Sequence, residues 1–213
     1  MKKVLVFVLL ISVIYGCTST RLVSNWKDPN VVLFHAYKVL IVGMTENESV
    51  RVNFENKLKH EFEKRDIEAV RSVDLFDVKF ISSKQSEKEL AEVEQQLLDK
   101  DFDAILYTKI VSTEDKKRLR SKQPNTLGFL NTFQDDYIIH QGIFYEYDYY
   151  NTFSLFHVET ALYCICVDKE RQTIWRAGID ITNRKNFNKS IDEYVQLLVS
   201  SMENQELIFH EKK

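Results

Sequence analysis

The chain has 213 residues, of which 44% are hydrophobic and 29% charged, the composition of an ordinary folded protein. This length fits one domain with added segments better than two full domains. The net charge of −3 gives no general attraction for nucleic acid, so we exclude nucleic acid as a partner of the chain as a whole. With only five glycines and two prolines, collagen-like repeats and long low-complexity linkers are excluded as well.

The first residues have the pattern of an exported protein. Lys2 and Lys3 precede an apolar run from Val4 to Ile14. This run is too short to cross a bilayer, which takes about 20 apolar residues in a helix. It has the length of the apolar region of a secretory signal peptide. We therefore predict that residues 1–16 are a signal peptide.

The run ends in Ile14-Tyr15-Gly16-Cys17, which resembles the lipobox of bacterial lipoproteins. In that family the cysteine thiol takes a diacylglyceryl group, the peptidase cuts before the cysteine, and the new amine is acylated. The resemblance implies that Cys17 is the lipid attachment residue and that the membrane is a partner, because two or three acyl chains hold a protein firmly. The alternative is an ordinary signal peptide or uncleaved anchor in which Cys17 is incidental.

Thr18 follows the cysteine, where an aspartate would favour retention at the inner membrane by the enterobacterial sorting rule. We therefore expect an outer-membrane protein that faces the periplasm.

The other two cysteines, Cys164 and Cys166, share one face of a predicted strand. Their separation of about 6.5–7 Å is at the outer limit for a disulfide, so we expect two small buried thiols, with a metal-binding or redox pair as the alternative.

The remaining chain predicts a single domain of the α/β class over residues 36–213, preceded by a lipidated tether and entry segment over residues 17–35. Strand, helix, strand, helix and strand alternate first, which indicates parallel pairing with right-handed crossovers. An antiparallel hairpin and a C-terminal helix follow. We expect one mixed sheet of about five strands with helices packed on it. The predicted strands are 37–44, 67–72, 103–111, 152–167 and 173–181, and the predicted helices are 49–64, 87–100 and 190–204.

An irregular insertion is predicted at about residues 113–151, basic at its start and aromatic at its end. Long irregular segments in compact domains are often functional, and aromatic side chains are favoured at interfaces. The insertion is therefore the candidate site for an envelope protein partner, although its tyrosines equally fit a strand that lines the core. The candidate partner-binding residues are Lys116, Lys117, Arg118, Arg120, Phe144, Tyr145, Tyr147 and Tyr149.

Two stretches, residues 38–65 and residues 167–178, resemble uncharacterised envelope lipoproteins of Gram-negative bacteria with a domain similar to the amino-terminal domain of TolB. The first holds an Ile-Val-Gly-Met strand before a long helix, and the second an Asp-containing turn before Thr-Ile-Trp-Arg-Ala-Gly. The resemblance implies this α/β fold and no catalytic residues.

Metal and cofactor sites are not predicted. His157 and Glu159 share a strand face, and Asp135, Asp136 and His140 lie in the insertion, but neither group has a third ligand in register. We therefore expect a non-enzymatic binding or assembly module of the cell envelope. One alternative is a periplasmic metal-dependent hydrolase that uses His140, His157, Asp135 and Glu159. Another is an accessory subunit of an envelope transport or secretion complex. The sequence makes no prediction of oligomeric state.

Overall fold

The computed structural model describes residues 19–77, 80, 83–111, 132–144, 156–165, 172–182 and 187–207. These residues form one six-stranded sheet with five α-helices, which confirms the predicted α/β class with one strand more than expected. The strands are β1 (Thr20–Lys27), β2 (Lys38–Met44), β3 (Glu68–Arg71), β4 (Ala104–Val111), β5 (Phe156–Cys164) and β6 (Thr173–Ile181).

The sheet has the strand order β1-β6-β5-β4-β2-β3. β2 pairs in parallel with both β3 and β4, as strands joined by crossover helices do. The pairs β4–β5, β5–β6 and β6–β1 are antiparallel. The predicted hairpin is therefore confirmed, and it lies in the middle of the sheet.

The helices are α1 (Glu48–Glu63), α2 (Ser72–Leu75), α3 (Glu87–Leu98), α4 (Phe133–His140) and α5 (Phe187–Glu203). α1 begins where the Asn47 side chain accepts a hydrogen bond from the Val50 N–H. α3 begins with a capping box between Ser86 and Glu89. Three of these helices were predicted within a few residues of their observed bounds.

Strands β2, β3, β4 and β5 send alternate side chains to two different apolar cores, as the strand period of two residues requires. In β4, Ala104 and Leu106 pack with α1 and α5, whereas Ile105 and Tyr107 pack with α3 and α4. The sheet is therefore the middle layer of three.

Within the predicted tether and entry segment over residues 17–35, Thr20–Lys27 forms the edge strand β1, which the sequence did not predict. The pairing of β1 with β6 shifts register between Leu22 and Ser24, and Val23 and Trp26 remain 41% and 40% exposed. An edge strand with a bulge and exposed apolar residues lacks the clean alternation on which a sequence prediction depends.

Part of the predicted irregular insertion is also ordered. Residues 133–140 form α4, and a 3₁₀ turn over Gln141–Phe144 follows it. Phe133 and Tyr137 of α4 are buried against the sheet. Their spacing of four residues places both on one face of a helix, but two turns of helix are too short to give a periodic signal.

Candidate functional site

The described residues begin with Ser19, two positions after Cys17, and Ser19 is hydrogen-bonded both to helix α5 and to the residue that follows strand β6. The backbone N–H and the Oγ of Ser19 both donate hydrogen bonds to Glu193 Oε2 on α5, at 2.8 and 2.6 Å. The Ser19 carbonyl accepts a hydrogen bond from the Thr182 N–H at 2.9 Å. Anything attached at position 17 is therefore next to the folded body.

Several strand ends meet at this same place, which we call the Ser19 end of the sheet. Thr20 pairs with Ile181, and Ile181 pairs with Phe156 at the start of β5. Val111, the last residue of β4, pairs with His157. The chain between β4 and β5, which includes the predicted partner-binding residues, therefore leaves and rejoins the sheet at the Ser19 end.

A half-open cavity of about 60 Å³ lies at the Ser19 end, between the sheet and helices α1 and α5. Its lining is almost wholly apolar. The residues that form it come from the ends of β2, β4 and β6, from the start of β5 and from the N-terminal halves of the two helices, and they include Met44, Val50, Phe54, Ile181, Ile191 and Tyr194.

The hydroxyl groups near this cavity are bonded to each other. Thr108 Oγ1 and Thr160 Oγ1 are 2.7 Å apart, and Thr160 Oγ1 also shares a hydrogen bond with Tyr194 Oη. Burial raises the pKa of Tyr194, which keeps the phenol protonated. Because these polar atoms use their bonding capacity internally, the cavity offers little to a polar ligand.

The opposite face of the sheet carries a buried charge cluster, formed by Lys109, Asp136, His140 and Tyr163. Lys109 Nζ lies 2.5 and 2.7 Å from the two carboxylate oxygens of Asp136, and these residues are 1% and 0% exposed. Tyr163 Oη donates to Asp136 Oδ2 at 2.5 Å. His140 Nδ1 contacts Asp136 Oδ1 and the Asp136 carbonyl, both at 2.9 Å, so this nitrogen carries a proton.

Electrostatics fix the protonation of this cluster. Burial by itself would raise the pKa of Asp136, but Lys109, His140 and Arg176 outweigh it and hold that pKa well below its ordinary value. Burial and the negative charge of Asp136 raise the pKa of Tyr163 well above its ordinary value. Asp136 is therefore an ionised acceptor and Tyr163 a protonated donor, and together with Lys109 they hold α4 on the sheet.

A second group of charges extends from this cluster across the sheet to β1. Glu159 Oε2 lies 3.7 Å from Lys109 Nζ, and Glu159 Oε1 lies 3.4 Å from His157 Nε2. His157 Nδ1 lies 2.6 Å from Asp180 Oδ1, and Asp180 faces Arg21 at 3.7 Å. Carboxylates alternate along this path with lysine, histidine and arginine side chains, so each carboxylate has a cationic or hydrogen-bonding neighbour.

Gly178 makes room for the His157 ring. A Cβ at position 178 would lie 2.5 Å from Ser24 Oγ and 2.9 Å from His157 Cε1, closer than real Cβ contacts. Glycine is therefore required there by close approach of side chains from the neighbouring strands.

The four residues of the hydrolase alternative are not assembled into one site. His157 and Glu159 do lie on one strand face in contact with each other, as predicted, and His140 is bonded to Asp136. Asp135 is exposed and accepts a hydrogen bond from Thr132 Oγ1 at 2.7 Å at the start of α4. Among the described residues, no group of three or more His, Cys, Asp and Glu is placed to hold a metal ion.

Phe144 is the one predicted partner-binding residue that the structure describes. It is half-buried, with its ring 6.2 Å from that of Tyr137 and the Arg51 guanidinium 5.9 Å from its centre. Its described contacts are thus within the fold. The other predicted functional residues lie outside the described residues, namely Cys17, Lys116, Lys117, Arg118, Arg120, Tyr145, Tyr147 and Tyr149.

Cys164 is disulfide-bonded, so the prediction of a buried thiol at this position is wrong. Cys17 is out of its reach. Thr20 lies level with Phe156, and the eight steps of β5 from Phe156 to Cys164 span about 26 Å. Three residues from Thr20 back to Cys17 cover at most about 11 Å, and a disulfide joins Cα atoms less than about 7 Å apart.

The charge cluster was missed by sequence reasoning, although one of its residues carried a signal. Lys109 lies within the apolar run of β4, where a lysine needs a buried acid as partner. Its partner Asp136 is 27 positions away in a segment without periodicity, so the sequence did not identify the pair.

Within the described part of the chain, no helix is both long and apolar enough to cross a membrane.

No family model and no curated protein matches the sequence. Among solved structures, the chain is similar to the PelC dodecamer from Paraburkholderia phytofirmans, with a TM-score of 0.42 and 8% identity over 88% of this chain and 98% of that one. A single-residue variant of the same dodecamer gives a TM-score of 0.41 and 11% identity over 86% and 96%. Similarity at this level carries no argument about this chain.

Proposed function

We propose that the chain is a lipid-anchored, non-enzymatic binding or assembly module of the bacterial cell envelope, held on the outer membrane through Cys17 with its domain in the periplasm. One observation carries the proposal. The Gly16-Cys17 step of a lipobox lies two residues before Ser19, where the described fold begins. Cleavage before Cys17 would thus leave every described element in the mature protein and attach the lipid directly to a folded body.

The disulfide at Cys164 supports an exported location. Disulfides form and persist in oxidising compartments such as the periplasm and are rare in the cytosol. Because Cys17 is too far away to be the partner of Cys164, this bond leaves the Cys17 thiol for acylation.

The charge cluster favours a structural over a catalytic interpretation. General acid–base catalysis needs a titrating group within hydrogen-bond reach of the substrate. Lys109 and Asp136 are 1% and 0% exposed and are bonded to each other, and Tyr163 donates to the same carboxylate. These groups hold α4 in place, which leaves the surface of the domain for binding.

Mass spectrometry of the intact protein, extracted from membranes with detergent, tests the anchor. We expect residues 17–213 with a diacylglyceryl group and an amide-linked acyl chain on Cys17. A Cys17→Ser variant should leave the membrane fraction, whereas Cys164→Ser, a control that removes a different cysteine, should stay in it. An unmodified Cys17, or a mature protein that retains residues 1–16, would contradict the proposal.

The proposed location in the outer membrane is tested separately. Under the enterobacterial sorting rule, Thr18→Asp should move the protein to the inner membrane, whereas Thr18→Ser should not. Separation of the two membranes by density gradient in an enterobacterial host measures this. An unchanged distribution of the Thr18→Asp variant would rule out sorting by that rule.

The binding role is tested by gentle membrane extraction after crosslinking in cells. A stoichiometric partner should co-purify with the wild-type chain, and replacement of Tyr145, Tyr147 and Tyr149 by serine should release it without unfolding the domain. Loss of folding in this variant would instead place the three tyrosines in the core.

A further inference from the structure

The apolar cavity at the Ser19 end lies beside the point where a lipid would be attached. Ser19 is hydrogen-bonded to Glu193, and the neighbouring residues Ser190 and Tyr194 on the same helix line the cavity. Two residues span at most about 7 Å, so Cys17 stays within that distance of Ser19. A chain attached to Cys17 therefore starts close to the cavity wall.

The chemistry of the cavity suits hydrocarbon. Its lining is almost wholly apolar, and the hydroxyls of Thr108, Thr160 and Tyr194 are bonded to each other. The atoms that line an empty apolar cavity lack contacts on one side, so an apolar group that enters restores those contacts. A ligand with polar groups would have to give up its water without gaining partners.

The size of the cavity limits what enters it. At about 10–15 Å³ for each water-sized group, the 60 Å³ cavity holds roughly four to six such groups in its observed form. A linear hydrocarbon end of a few carbons fits this space, whereas a whole acyl chain does not.

We propose, given the acylation of Cys17 set out under Proposed function, that this cavity holds the terminal methylenes of one acyl chain carried by Cys17 itself. The occupant is thus part of the same molecule. Its short connection to Ser19 gives it a high effective concentration at the cavity, which a free lipid lacks.

The bilayer competes with the cavity for this chain. A methylene gains a similar free energy on leaving water for either apolar environment, so neither place strongly outcompetes the other. The cavity holds only a few carbons, whereas a bilayer takes the whole chain, so the cavity is occupied when the protein is away from a membrane and is vacated when all acyl chains insert.

Photocrosslinking of the full lipidated protein tests this inference. Cells are supplied with a fatty acid that carries a diazirine at its terminal carbon, and the protein is purified in detergent and irradiated. We expect peptide mass spectrometry to find crosslinks to the segments that contain Met44, Phe54 and Tyr194. Reconstitution into phospholipid nanodiscs should reduce their yield at least fivefold.

Two matched variants define the site. Val50→Phe on α1 fills the mouth of the cavity and should reduce the crosslinks at least fivefold. Val93→Phe, the same change at a half-buried helix position on the opposite face, should leave them unchanged. If the Val50→Phe protein does not fold, the crosslink map of the wild-type protein still decides the question.

The outcomes separate this inference from the proposed function. An unacylated Cys17 would overturn both. An acylated Cys17 with crosslinks to detergent alone would overturn the cavity assignment and leave the lipoprotein proposal standing. Equal crosslinking in Cys17→Ser protein mixed with the free diazirine fatty acid would show that the cavity takes untethered lipid, which also overturns the assignment.

Discussion

Two lysine–aspartate pairs in this protein have the same nitrogen–oxygen distance of 2.5 Å and very different surroundings. Lys109 and Asp136 have side chains 1% and 0% exposed, between the sheet and α4. Lys57 and Asp192 link α1 to α5 on the opposite side of the molecule, with side chains 32% and 57% exposed. Solvent screens the second pair and cannot reach the first, so equal geometry gives unequal consequences when one partner is removed.

A second comparison concerns two buried carboxylates, one on each side of the sheet. Glu55 accepts hydrogen bonds from the Gly43 N–H and the Ser72 hydroxyl, and burial is the largest influence on its pKa, which is raised. Asp136 is equally buried but contacts the Lys109 ammonium, and its pKa is lowered. A cation in direct contact therefore decides the direction of the shift.

The largest effect is expected from breaking the buried pair. Asp136→Asn leaves the buried Lys109 with only the more distant Glu159 carboxylate, at 3.7 Å, which should lower the free energy of unfolding by about 3–5 kcal/mol. Urea unfolding of the purified protein measures this. The control is Asp135→Asn at the exposed neighbouring position, which should cost less than about 1 kcal/mol.

Equal stability of Asp136→Asn and Asp135→Asn would contradict this prediction. The double variant Lys109→Met with Asp136→Leu, which removes both charges, tests it further. This variant should unfold less easily than Asp136→Asn, because no uncompensated lysine remains.

Lowering the pH should have a smaller effect, reducing the free energy of unfolding by about 2–3 kcal/mol through Asp136. Because its folded-state pKa is lowered, Asp136 stabilises the fold at every pH above its unfolded value of about 3.9. This stabilisation is lost as the pH falls below that value toward the folded-state pKa. Unfolding measured between pH 5 and pH 2 should therefore show a steeper loss for wild type than for Asp136→Asn, and parallel curves would refute the ionised state of Asp136.

The contribution of Glu55 to the free energy of unfolding should depend on pH in the opposite direction, with an amplitude on the order of 1 kcal/mol. Its folded-state pKa is raised, so its contribution to stability is largest below the unfolded value of about 4.3 and falls as the pH rises through the folded-state pKa. Glu55→Gln should remove this decline. Glu48→Gln, an exposed position at the start of the same helix, should keep the wild-type profile.

The smallest effect is expected for the exposed pair. A double-mutant cycle with Lys57→Ala and Asp192→Ala should give a coupling free energy of at most about 1 kcal/mol. A value as large as that of the Lys109–Asp136 pair would mean that burial does not control the strength of these contacts.

The elements that the sequence predicted best are those in which buried apolar residues recur at regular intervals. Val50, Phe54, Leu58 and Phe62 recur every four residues, and the predicted helix agrees with α1 to within one residue at each end. β1 was missed because it is an edge strand with a register shift, and α4 because Phe133 and Tyr137 alone do not form a stripe.

The candidate site was predicted less completely than the fold. The assignment of Cys17 depends on a local motif and stays a prediction, whereas the Lys109–Asp136 contact depends on how residues far apart in sequence are brought together. The cavity is likewise formed by the packing of α1 and α5 on the sheet, and no local pattern encodes it.

The hydrogen bonds of Ser19 have a mechanical consequence for any group carried at position 17. If Cys17 is acylated as proposed, the two-residue connection from it to the bonded Ser19 gives the domain almost no reach from its attachment point. The opposite tip of the central strands, where β5 ends at Cys164, then stands about 26 Å farther from the attachment point than the Ser19 end does. Under the proposed acylation of Cys17, a partner that docks at that tip would have to lie within reach of it, because the short connection cannot extend the domain toward a more distant partner.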